Sequence, residues 1–121
     1  MRTNILKIAT SLAFALAATS AFAHAQLEKA TPAVGGTVAS ASEIRLEFSE
    51  GVEPRFSGVS LTAAGGASVP LGRATVEAGD AKVLIVPIAK PLSPGAYTVH
   101  WHAVSVDTHH TQGDFQFTVK P

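Results

Sequence analysis

Polar and apolar residues alternate in several stretches of this chain, as they do in strands with one face against a core. Glu43-Ile44-Arg45-Leu46-Glu47-Phe48 alternates charged and apolar. Val59-Ser60-Leu61-Thr62 alternates too and breaks at Gly65-Gly66. Lys82-Val83-Leu84-Ile85-Val86 is more continuously apolar and predicts an interior strand. Ala96 to Val104 is the longest candidate. A period of two places Tyr97, Val99, Trp101 and Ala103 on one face, and Thr98, His100 and His102 on the other. Asp114 to Val119 repeats the pattern with Phe115, Phe117 and Val119 inward. Turn residues punctuate the chain at Thr31-Pro32, Gly35-Gly36 and Pro91 to Gly95. About seven short strands without a helical period predict an all-β, immunoglobulin-like sandwich.

The first 23 residues follow another rule. Arg2 and Lys7 precede an apolar run over Ile8 to Ala18, and Ala21-Phe22-Ala23 is the small-x-small pattern of a signal peptidase site. The run is too short for a permanent membrane span. Residues 1–23 therefore read as a cleaved secretory leader, and residues 24–121 as one domain exported to the periplasm with no membrane insertion.

The domain carries seven Lys+Arg against nine Asp+Glu, a net charge of −2, which gives nucleic acid no electrostatic footprint. The chain has no cysteine, and its one methionine is Met1, in the leader. Thiolate and thioether sites for Cu(I), and blue-copper electron transfer, are excluded for the domain.

The candidate chemistry lies in five histidines: His24, His100, His102, His109 and His110. Cleavage after Ala23 exposes an α-amine on His24. Amine and ring Nδ1 together close a six-membered chelate around one metal, and a strong metal displaces the amine proton near neutral pH. Cu(II) heads the affinity series and favours tetragonal nitrogen and oxygen donors. Asp107-Thr108-His109 is the second feature. In extended backbone, Asp107 and His109 share a face with Cβ atoms about 6–7 Å apart, within reach of one ion. His24, Asp107 and His109 would then give three nitrogens and one oxygen. The same residues also fit a plain chain end and a polar turn. His100 and His102 share an outward face and read chiefly as solvated, while Trp101 reads as core.

These stretches resemble the CopC family of periplasmic copper-resistance and copper-binding proteins. The likeness rests on His24, Leu46-Glu47-Phe48-Ser49-Glu50-Gly51-Val52 and Pro94-Gly95-Ala96-Tyr97-Thr98-Val99-His100-Trp101. It continues through Val104-Ser105-Val106-Asp107-Thr108-His109 and Gly113-Asp114-Phe115-Gln116-Phe117. The resemblance implies a Greek-key sandwich with one Cu(II) per chain, held by His24, Asp107 and His109. It implies Glu50 as an axial or neighbouring carboxylate. Thr108 stands where the family usually has glycine, Gly51 where proline is common, and His110, also where proline is common, is a competitor of His109. The family's Met-rich Cu(I) site has no counterpart here. The resemblance further implies a copper carrier or buffer in resistance or uptake, with an inner-membrane transporter of CopD type as partner.

Two rival functions share parts of this pattern. An N-terminal histidine on copper also serves oxygenases, but those use a second histidine and an open position, and this chain is short with little aromatic surface. Ser105, Asp107 and His109 alternate, yet a hydrolytic triad needs histidine in the middle, and even spacing puts Asp107 there. The expectation is a binding protein and not an enzyme, with a metal-free structural sandwich as the remaining alternative.

Overall fold

The computed structural model describes residues 24–121, so the leader expected over 1–23 lies outside the described residues. Nine strands follow one another: β1 Leu27–Thr31, β2 Thr37–Val38, β3 Glu43–Phe48, β4 Gly58–Ala63, β5 Ser68–Val69, β6 Thr75–Glu77, β7 Asp80–Pro87, β8 Gly95–Val104 and β9 His110–Val119. Among the described residues there is no helix, and none that could cross a membrane. Seven strands have three residues or more. The two-residue β2 and β5 bring the total above the seven expected.

The strands form a four-stranded sheet in the order β1-β3-β7-β6 and a five-stranded sheet in the order β2-β9-β8-β4-β5. The first repeats the A-B-E-D order of an immunoglobulin-like sandwich, and β9-β8-β4 repeats its G-F-C order. Strand β7 is interior to its sheet, as its apolar run predicts: Val83, Leu84 and Val86 are buried. In β3 the buried positions are Ile44, Leu46 and Phe48, every second residue. Each such side chain contributes about 1.5–3 kcal/mol when fully buried. The predicted inward face of β8 is also observed, with Tyr97, Val99, Trp101 and Ala103 buried and His100 and His102 exposed.

Strand β9 begins at His110, four residues before the apolar alternation does. Its polar first half pairs in full with β8, through Val104↔His110, His102↔Gln112 and Trp101↔Gly113. Gly113 is required by that last pair. A Cβ there would stand 2.8 Å from Cζ2 of Trp101. The indole lies across the glycine and meets Phe48 edge to face, with ring centroids 5.3 Å apart. This contact joins the two sheets at one end of the core. At the other end Tyr97, near the start of β8, donates from its hydroxyl to the carbonyl of Ser93 at 2.6 Å. That is the tyrosine corner of immunoglobulin-like domains.

Candidate metal centre

The chain enters the sandwich by a short arm before β1. Ala25 is wholly buried, and only a small side chain suits that place. Ser49, one residue beyond β3, holds the arm from one sheet. Its backbone N–H donates to the carbonyl of Gln26 at 2.9 Å, and its hydroxyl accepts from Gln26 N–H at 2.9 Å and donates to the carbonyl of His24 at 3.3 Å. Thr111 of β9 holds it from the other sheet, donating to the carbonyl of Ala25 at 2.8 Å. The arm is thus fixed across the mouth of the sandwich.

The turn joining β8 to β9 faces this arm. Ser105 bridges to Val52, and Val106 N–H donates to the carbonyl of Gly51 at 3.0 Å, tying the turn to the segment after β3. Ser105 N–H reaches the carbonyl of His109 at 2.9 Å, and Thr108 N–H that of Ser105 at 2.8 Å. The stretch expected as extended backbone is therefore a tight turn. Thr108 carries φ of 72°, a left-handed conformation disfavoured for a β-branched residue. This is the position where the resembled family usually has glycine. The Thr108 hydroxyl donates to the carbonyl of Asp107, which helps to hold the turn.

The turn brings Asp107 and His109 together by a different route from the one a strand would take. His109 Nδ1 lies 3.1 Å from Asp107 Oδ1. The same carboxylate oxygen accepts from the hydroxyl of Ser105. These contacts, Ser105 first and His109 second, hold the Asp107 carboxyl below the usual carboxylate range. The rings of His24 and His109 meet edge to face, with centroids 4.9 Å apart and planes at 69°. Two of three expected donors are therefore in hydrogen-bond range, and the third touches one of them.

The separation has a chemical meaning. Two donors, each about 2.0 Å from one ion and at right angles, stand about 2.8 Å apart. The Asp107–His109 spacing is close to that bite. Replacing the proton between the two atoms by a cation would require little movement. Among the described residues no three His, Asp or Glu side chains are already gathered as a metal cluster. Glu50 stands just before Gly51, beside the turn, and makes no hydrogen bond or ion pair among the described residues. His110, the expected competitor of His109, is exposed at the start of β9.

Four contributors escaped the sequence reading. Ser105 reaches the acid and not the imidazole ring, so the Ser-Asp-His alternation serves to orient a carboxylate. Its spacing from Asp107 was the available signal. Ser49 and Thr111 anchor the arm over long sequence separations, and Gly113 makes room for Trp101. None of these three carries a local signature.

The whole arrangement is an immunoglobulin-like sandwich whose entering arm and last hairpin turn place nitrogen and oxygen donors at one pole. A family model described as the CopC domain matches residues 27–120, and the chain belongs to that family. Protein YobA of Escherichia coli strain K12 is 44% identical over 110 residues, spanning 90% of this chain and 89% of that protein. Copper resistance protein C of Xanthomonas campestris pv. juglandis is 40% identical over 123 residues, spanning 98% and 94%. Among solved structures, PcoC, a methionine-rich copper resistance protein from Escherichia coli, superposes with a TM-score of 0.74 at 35% identity, over 81% of this chain and all of that one. CopC from Methylosinus trichosporium OB3b gives 0.75 at 31% identity, over 81% and 95%.

Proposed function

We propose that the protein is a periplasmic Cu(II) carrier or buffer, binding one ion per chain through His24, Asp107 and His109. The reading rests on one observation: the His24 ring touches His109, whose Nδ1 is 3.1 Å from Asp107. Removal of residues 1–23 frees the His24 amine, which joins its ring as a chelate. Copper is cargo here, held and released. The donor set of nitrogens and one carboxylate suits Cu(II) and disfavours Cu(I), so the protein binds without redox turnover. Glu50 supplies a nearby carboxylate that orients a ligand or caps the ion from the axial side. The names of the copper resistance relatives support a role in resistance or uptake, with a membrane copper transporter of CopD type taking or giving the ion.

The test is Cu(II) electron paramagnetic resonance with chelator competition on residues 24–121 at one equivalent. A single axial, nitrogen-coupled spectrum is expected. His24→Ala should weaken binding by more than the roughly tenfold to hundredfold that outer partners contribute. One residue added before His24 should also weaken it, because the amine chelate is broken. A spectrum indifferent to both changes would remove His24 from the site and leave a sandwich without this function.

A further inference from the structure

Three histidines lie outside that centre, all on the exposed face of the five-stranded sheet, and they are not equivalent. His100 Nδ1 is 2.5 Å from Asp114 Oδ1, directly across the β8–β9 ladder. The side chains of His102, His110 and Gln112 make no hydrogen bond or ion pair among the described residues. Gln112 is the direct partner of His102, and His110 lies two residues earlier on the same face of β9. With Thr111, these three line a cleft of about 270 Å³.

The His102 ring stands at the border of this cleft, on its β4 side. Its second neighbour is Gly58 on β4, and ring atom Cε1 lies 3.2 Å from where a Cβ would stand on that glycine. A side chain at 58 would press the ring back towards β9. Glycine leaves room for it over β4, so the ring does not fill the space between His102, Gln112 and His110.

Two imidazoles and one amide, whose side chains have no partner among the described residues, border one cleft and make a donor set. Imidazole nitrogen suits borderline cations, and two nitrogens with an amide oxygen and waters match the tetragonal preference of Cu(II). From this geometry we infer that His102, His110 and Gln112 form a second Cu(II) site on the outer face of the sheet. It has no amine chelate and no charged ligand, so it is weaker than the first and exchanges faster. His110 thus serves this cleft instead of competing with His109. The inference stands on the cleft alone and does not need the first centre.

The experiment is a titration of ¹⁵N-labelled residues 24–121 with Cu(II) alone to two equivalents, read by paramagnetic broadening of amide signals. The first equivalent should broaden residues around Asp107. The second should extend the broadening to Gly58, Val59 and Ser60 of β4, across the ladder from His102. His102→Gln should lose this second phase and keep the first, and His110→Gln should lose it too. His100→Gln should retain both phases, since His100 is engaged with Asp114. Retention of the second phase in either of the first two variants overturns the site. Its loss in His100→Gln also overturns it, because copper would then sit on the His100–His102 pair. If only the phase at Gly58 to Ser60 appears, the first centre fails and this one stands.

Discussion

The two poles of the sandwich are closed in opposite ways. At the far pole, around Ser40–Ser42 and Ile88–Leu92, the side chains bordering a cavity of about 330 Å³ include no histidine or carboxylate. The nearby tyrosine corner fixes the chain entering β8. At the near pole the closure is polar: an arm held by Ser49 and Thr111, a turn held by Ser105, and donors left facing one another. One pole fastens the fold. The other accepts a strained turn and a loosely closed donor set, as the proposed uptake of a cation would require.

Substitutions should separate these two roles. Gly113→Ala, under the Trp101 indole, should have the largest effect. The ring must shift from a Cβ only 2.8 Å away, costing about 1–3 kcal/mol. Thermal unfolding would show it, and copper affinity should fall as well, since Thr111 and the arm lie beside Trp101. Tyr97→Phe removes one hydrogen bond at the far pole. It should cost about 1 kcal/mol, or roughly 4–8 °C in Tm, with copper affinity measured by chelator competition unchanged. A parallel loss of affinity would show that the poles are coupled.

Thr108→Gly relieves the left-handed strain at the turn but gives back chain entropy. A net gain of about 0.5–1 kcal/mol is expected in denaturant melts, with the metal-bound spectrum preserved. Ser105→Ala should have the subtlest effect. The Asp107 carboxyl is held below its usual range chiefly by the Ser105 hydroxyl, and carboxyl NMR titration should find it returning towards about 3.9. A carboxyl with a lowered folded pKa contributes stability above the unfolded value, and that contribution is lost as pH falls through the folded value. The copper-free protein should therefore lose a small increment below about pH 3.9, and less of it in Ser105→Ala.

Much of this was legible from the chain because the core is patterned locally. The alternation of β3 and of Tyr97 to Ala103 is a direct record of which side faces inward. The D-x-H spacing and His24 also point to the same pole. What escaped has a physical reason. The first half of β9, His110 to Gly113, reads as loop because its exposed face is polar and its inward face holds only Thr111 and Gly113. Strands β2 and β5 are two residues each, below any periodic signal. The turn at Thr108 replaced the expected extension because Ser105 and His109 pair through their backbone, a contact that spacing alone does not reveal. Ala25 and Thr111 are 86 residues apart, so the seating of the arm exists only once both sheets have met.

The direction of β9 has a practical consequence. It starts beside the histidines and ends with Val119 opposite Gly95, at the far pole. The two ends of the domain therefore leave from opposite faces. A tag or tether joined after Pro121 would hang from the far pole and present the histidine pole outward. The same tether before His24 would cap the amine that the proposed site uses.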